Sequence, residues 1–248
     1  MHRFYISPEN WDPDALALTG SEAHHARDVL RMKPPEKLVL FNGRGREITA
    51  EIVDLSGDGI RLRKLHEAET PVLRCRIILG QAIPKGKNMD LIVQKAVEIG
   101  AAEIAPIISD RTVVQVDPES AAQKHVKWQQ IAIEAAKQCG QNWLPQVHEP
   151  CRLGDFFTAS ATFDLRLIGS LQPDAQHLKE ILADYSSEHR RLPESVLMLI
   201  GPEGDFTPAE LALARRHACH PITLGPIILR VETAAIYCLS ILSYELLM

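Results

Sequence analysis

Up to about residue 70, apolar positions come in short runs broken by turn residues, the texture of strands rather than long helices. Lys37 to Phe41 and Glu47 to Val53 flank Asn42-Gly43-Arg44-Gly45, a glycine-rich turn that predicts a hairpin. A second turn, Ser56-Gly57-Asp58-Gly59, leads into a strand from Ile60 to Leu65. One helix is predicted from Ser21 to Arg31, stopping before Pro34-Pro35. These elements describe a small β-rich, barrel-like domain over residues 1–72.

From residue 73 onward strands and helices alternate, which predicts a parallel sheet with crossover helices. Strands are expected at Cys75 to Leu79, Glu103 to Ile108, Asp164 to Ile168, Val196 to Ile200 and Pro221 to Leu224. Between them, Asn88 caps a helix to Ile99 with Gly100 at its end. Asp117-Pro118-Glu119 opens a long helix ending near Gly140, and Pro173 to Tyr185 forms another. Thr207-Pro208-Ala209-Glu210 is a capping box that starts a further helix. A last helix, Val231 to Leu247, carries only Glu232 and Glu245 as charges. Apolar on every side, it calls for cover on every side, and a homodimer is the simplest source.

The segment Leu197 to Thr207 takes an apolar strand through Gly201-Pro202-Glu203-Gly204 directly into a capped helix. Leu224-Gly225-Pro226-Ile227-Ile228-Leu229-Arg230-Val231-Glu232-Thr233-Ala234-Ala235 repeats that strand-loop-helix passage. In open α/β sheets ligands bind beyond the carboxyl ends of strands, where both loops lie. Neither is a P-loop or a Gly-x-Gly-x-x-Gly fingerprint.

Together the two loops closely resemble the cofactor loops of the uridine-N3 methyltransferase family of 16S ribosomal RNA, within the SPOUT superfamily. His2-Arg3-Phe4, His24-His25-Ala26-Arg27, Gln81-Ala82-Ile83-Pro84-Lys85-Gly86, Met89 to Lys95 and Ile131 to Ala136 extend the likeness along the chain. The resemblance implies a PUA-like β-barrel RNA-binding domain at 1–72 and a SPOUT α/β trefoil-knot methyltransferase domain at 73–248. It also implies an enzyme, an S-adenosyl-L-methionine-dependent methyltransferase acting on N3 of a uridine, and an obligate dimer. Ile168, Gly169, Ile200, Gly201, Glu203, Gly204, Leu224, Gly225, Ile228, Leu229, Arg230, Thr233 and Ala234 would line the cofactor pocket. Arg230 is expected to stabilise the uracil anion, with Glu203 a second catalytic candidate. The chain departs from the family pattern at Ile227, where arginine is usual, and at Val231, where threonine is usual. Asp205 stands in place of a glycine, Lys87-Asn88 in place of Asp-Lys, and Gln141 where an arginine often follows the Glu134 helix. A related enzyme acting on another RNA, such as a transfer RNA ribose, and a catalytically inactive RNA-binding or assembly protein are the competing readings.

Net charge is −5, yet cations cluster locally. Arg27, Arg31, Lys33, Lys37, Arg44 and Arg46 face only Asp28 and Glu36, and Arg74, Arg76, Lys85, Lys87 and Lys95 face only Asp90. A phosphate backbone is sensed within ~8–10 Å, so local patches can hold RNA on an acidic protein. Arg3, His25, Arg27, Arg31, Arg44, Arg46, Lys85 and Lys87 are the RNA-binding candidates, and 16S ribosomal RNA or the small ribosomal subunit the expected partner.

The adjacent His24-His25, and the pair His217 and His220, lack the cluster a metal site needs, so no metal is expected. The five cysteines are widely spaced with no Cys-x-x-Cys, and are expected to be reduced and mostly packed. No apolar run approaches the roughly 20 residues of a membrane-spanning helix. The N-terminus lacks a signal-peptide pattern. A cytoplasmic protein with no membrane partner is therefore expected.

Overall fold

The structure is a computed structural model describing residues 1–55, 57, 59–113, 117–159 and 162–247. Ser56 and Asp58 of the expected second turn lie outside the described residues. The chain divides into two compact units, Met1–Val72 with Ile133–Leu144, and Leu73–Ala132 with Pro145–Met248.

The first unit contains strands β1 (Arg3–Tyr5), β2 (Ala17–Thr19), β3 (Lys37–Phe41), β4 (Arg46–Asp54) and β5 (Gly59–Glu69), in the order β1-β3-β4-β5-β2. β3, β4 and β5 pair antiparallel as consecutive strands, and β1 closes the edge parallel to β3. Alternation does the folding: Leu38 and Leu40 of β3, with Ile48, Ala50 and Ile52 of β4, turn to one core shared with Phe4, Leu18 and Ile60. β5 runs past the expected Leu65, because its distal residues are exposed and carry no alternating signal.

The helix expected from Ser21 to Arg31 is shorter and changes pitch. α1 spans Gly20–His24 and continues as a wide π-type turn through His25–Val29. Leu30 N–H reaches the His25 carbonyl and Met32 N–H the Ala26 carbonyl, and Arg31 sits at φ 54 in the left-handed region, which ends the helix.

Residues 133–144 join this unit through polar bonds. Lys137 Nζ donates to both carboxylate oxygens of Glu22 at 3.0 and 3.2 Å and lies 5.8 Å from the Phe4 ring centre. Burial raises the Glu22 carboxyl pKa, and Lys137 draws it back down. Trp143 Nε1 donates to the Thr70 carbonyl, and Asn142 Nδ2 to Thr70 Oγ1. Gly45, at φ 84, is required here: a Cβ would sit 2.7 Å from the Trp143 ring.

The second unit contains β6 (Arg76–Ala82), α2 (Asn88–Ile99), β7 (Glu103–Ile108), most of α3 (Pro118–Cys139), β8 (Gln146–Val147), β9 (Cys151–Arg152), α4 (Leu153–Ala159), β10 (Leu165–Gly169), β11 (Gln176–His177), α5 (Leu178–His189), β12 (Ser195–Ile200), α6 (Pro208–Arg216), β13 (Cys219–Thr223) and α7 (Val231–Leu246). Among the described residues the sheet order is β11-β13-β10-β12-β6-β7-β8, with β9 also on β7, and every pairing is parallel. Its central strands are buried along all but their first residue and mostly apolar, Ile77 to Leu79 in β6 and Val196 to Ile200 in β12, because both faces are covered. α5 begins at Leu178 rather than Pro173, since Gln176 and His177 pair with β13.

α7 forms where expected and buries only part of its circumference within the chain. It packs one face, Val231, Ala234, Ala235, Cys238, Leu239, Leu242 and Leu246, against α2, β6 and β12. Thr233, Tyr237, Ser240 and Tyr244 line its exposed face. The apolar circumference is thus half used within the chain.

All five cysteines are free. Burial pushes the Cys75, Cys219 and Cys238 thiols up to about 12, so they are packing groups. Cys139, by contrast, is exposed.

α6 starts with the expected capping box, Thr207 Oγ1 accepting from Glu210 N–H at 3.2 Å. The Glu210 carboxylate does more than close it. It is buried and accepts Ser109 Oγ at 3.1 Å, the Asp110 amide at 3.0 Å and the Thr207 amide at 2.8 Å. One carboxylate thereby fastens the end of β7 to the loop that follows β12. Nearby, the Arg111 guanidinium donates to the Gly204 carbonyl. Glu210→Ala leaves these donors, the buried Ser109 hydroxyl among them, without their acceptor and should lower stability by about 2–4 kcal/mol. Urea unfolding at constant m-value measures it, and a change under about 0.5 kcal/mol would remove the clamp from this account.

Candidate functional site

β10 lies between β12 and β13, parallel to both, with Ile168 level with Leu199 and Gly169 level with Ile222. Strands in parallel register end at the same edge, so the chain leaves β10, β12 and β13 side by side. Residues 169–172, 200–203, Asp205, 223–225 and 227–230 surround a cavity of about 560 Å³, closed on one side by Asn88 and the first turn of α7. That volume is in the range of small-molecule sites.

Of the residues expected at the cofactor, Gly169, Ile200, Gly201, Glu203, Leu224, Gly225, Ile228, Leu229, Arg230 and Ala234 line this cavity. Three do not. Ile168 is buried in the core beneath, Gly204 faces the Arg111 side chain, and Thr233 lies on the exposed face of α7. Sequence reasoning missed Ser170, Leu171 and Gln172, which follow β10 with no glycine motif to flag them. It also missed Asn88 and Glu232 as a pair: Asn88 Nδ2 donates to Glu232 Oε2 at 3.2 Å, 144 residues apart, at the cavity wall.

Backbone conformation explains two loop residues. Gly225 has φ 104, where a side chain is strained, and the space its Cβ would enter holds no atom within 4 Å. Asp205, where the resembling family has glycine, has φ 61. Aspartate tolerates that region better than most residues, and its Oδ1 accepts the Phe206 amide at 2.7 Å. Of the other departures, Ile227 lines the cavity while 74% exposed, and Val231 lines it from a mostly buried position. Gln141 accepts the Trp143 amide.

The charged groups divide by what they bond. Glu203 Oε1 accepts the Lys85 amide at 2.9 Å, tying the β12 loop to the segment before α2. Arg230 caps the N-terminus of α7 from an exposed position, and among the described residues its guanidinium has no ion-pair partner.

The RNA candidates divide likewise. Arg3 is a structural residue of the first unit, its guanidinium bonded to Glu47 at 2.6 Å and Asn142 at 2.5 Å. His25 packs its ring against Phe4, and Arg46 pairs with Glu67. Arg27 touches Asp28 and the Gly57 carbonyl at 3.3–3.4 Å, and Arg31 and Arg44 are exposed. In the second unit Lys85 and Lys87 are exposed. Among the described residues no group of three or more His, Cys, Asp or Glu could hold a metal, and no helix is long and apolar enough to cross a membrane.

Residues 71–243 match the family model of the RNA methyltransferase domain, and residues 18–65 that of the RNA methyltransferase PUA domain. The chain is 30% identical to the Bacillus subtilis ribosomal RNA small subunit methyltransferase E, covering 99% of this chain and 97% of that one. It is likewise 30% identical to the Buchnera aphidicola (subsp. Schizaphis graminum) protein of that name, over 98% and 96%. A crystal structure of the Neisseria gonorrhoeae ribosomal RNA small subunit methyltransferase E bound to S-adenosyl methionine superposes with a TM-score of 0.85 at 31% identity, covering 99% and 98% of the two chains. With its methyltransferase domain matched over most of the sequence and relatives matched end to end, the chain belongs to the ribosomal RNA small subunit methyltransferase E family.

Proposed function

We propose that this protein uses S-adenosyl-L-methionine to methylate N3 of a uridine in 16S ribosomal RNA. The observation that carries the reading is the convergence of three strand-end loops on one cavity, with glycine where backbone must approach a ligand. The residues fit such a cofactor: the Gly225 position is open, and Ile200, Leu224, Ile228 and Leu229 offer apolar surface. When bound, the cofactor supplies an already electrophilic methyl group. The protein's part is alignment, which can contribute ~7–11 kcal/mol, and control of charge on the base. Uracil N3 must lose its proton, and the negative charge then spreads to O2 and O4. Arg230, at the cavity with no ion-pair partner among the described residues, is suited to stabilise that charge.

Arg27, Arg31, Arg44, Lys85 and Lys87 supply exposed or half-exposed cations for the RNA backbone; Arg3 is withdrawn from that set by its bonds to Glu47 and Asn142. The exposed face of α7, with Tyr237 46% and Tyr244 67% exposed beside half-buried Ile241, supports a homodimer in which a second copy covers it.

Mass spectrometry of small-subunit ribosomal RNA from a deletion strain should show loss of 3-methyluridine. The wild-type gene should restore it and Gly225→Val should not, because valine both strains φ 104 and fills the cavity mouth. Unchanged 3-methyluridine in the deletion strain, or a methyl missing from another nucleotide or another RNA, would overturn the assignment. For assembly, the wild type should sediment as a dimer and Tyr237→Glu combined with Tyr244→Glu as a monomer, since carboxylates would be buried unpaired. A monomeric wild type would overturn the dimer.

A further inference from the structure

Three carboxylates line the cavity: Glu203, Asp205 and Glu232. Two are committed to loop backbone, Glu203 to the Lys85 amide and Asp205 to the Phe206 amide. Glu232 differs in support and in partner. It stands in the first turn of the sixteen-residue helix α7, and it is held by a side chain, Asn88, from the first residue of α2. The two helices pack against each other, α2 burying Met89, Ile92 and Val93 and α7 burying Ala234, Ala235 and Cys238, so both ends of this bond are anchored on helices with buried faces. A group carried on packed helices keeps its position better than one on a loop. The Asn88 amide donates to Oε2, and among the described residues Oε1 has no hydrogen-bond partner; Glu232 lines the cavity together with Arg230.

Resting on the proposed reaction, we infer that Glu232 is the group that takes the uridine N3 proton. The balance is simple. The N3–H proton moves to Glu232 Oε1, the nitrogen lone pair bonds the methyl carbon, and the carbon–sulfur bond breaks to leave a neutral thioether. The protonated carboxyl then returns its proton to solvent. Asn88 is a positioning residue that fixes the carboxylate by its other oxygen, and Arg230 opposes the charge that appears on the base. The charged groups around Glu232 are Arg230, Glu203 and Asp205 in the cavity, with Lys87 and Asp90 beside Asn88 on α2. Asp90 is itself occupied by Lys127 and Trp128.

The test is single-turnover methylation by Glu232→Gln, which keeps the shape of the side chain and its ability to accept from Asn88. On uridine RNA the variant should lose roughly 10²–10⁴ in rate, the range for a general base. Its S-adenosylmethionine affinity by calorimetry should stay within about threefold, and its melting curve should match the wild type. RNA carrying 5-fluorouridine at the target has a more acidic N3–H, so the deficit should shrink at least about tenfold there, because proton removal is then the smaller part of the barrier. A variant rate within about threefold of wild type overturns the assignment. So does an equal loss on both RNAs, or a loss of cofactor affinity that accounts for the loss of rate. A wild type that forms no 3-methyluridine would instead overturn the reading of the site itself, and the assignment with it.

Discussion

The parallel pairing of β10 with both β12 and β13 is the constraint on which the rest of the molecule's chemistry depends. It places the ends of three strands, distant in sequence, along one edge in matched register. Nothing local could bring 170–172, 201–206 and 224–230 together; the sheet does so by hydrogen bonds between buried apolar strands. Leu167, Val196 to Leu199 and Ile222 are almost wholly excluded from solvent, and such burial contributes ~1.5–3 kcal/mol per large aliphatic side chain. The energy that builds the site is therefore spent beneath it, in the core.

Above the edge, shape is held by polar bonds rather than by packing. The Glu210 carboxylate collects four donors from the β7 and β12 ends, and Arg111 takes the Gly204 carbonyl. Glu203 joins the same loop to Lys85, and Asn88 joins α2 to Glu232. Apart from the two Thr207 donors, each of these pairs spans about a hundred residues or more of chain, so the cavity wall is tied across the unit at several points. Preorganisation of this kind is what an alignment-driven reaction asks of its protein.

Much of this was legible in the amino-acid order, for identifiable reasons. The alternation in Lys37 to Phe41 and Arg46 to Asp54 is a local signal that the core then uses directly. The Thr207–Glu210 box and Gly100 mark helix ends by their own geometry. Glycines in the two loops marked most of the cavity lining. What was not legible depends on distance. Arg3 looked available for RNA until Glu47 and Asn142 claimed its guanidinium, and no sequence window shows that Glu203 holds the Lys85 amide. Residues 133–144 belong to the first unit through Lys137, Asn142 and Trp143, polar and aromatic groups whose partners no sequence window contains. Likewise α7 reads as apolar all round, and only the packing against α2, β6 and β12 tells which half the chain uses itself.

The central claim, that three loops at one sheet edge form a single cofactor site, is tested most directly by amide hydrogen exchange with and without saturating S-adenosylmethionine. Protection should rise together in 169–172, 200–206 and 224–231, with the expected second turn near Gly57 and the β4–β5 hairpin unchanged. Binding that leaves those three segments unprotected, or that protects only one of them, would contradict the account.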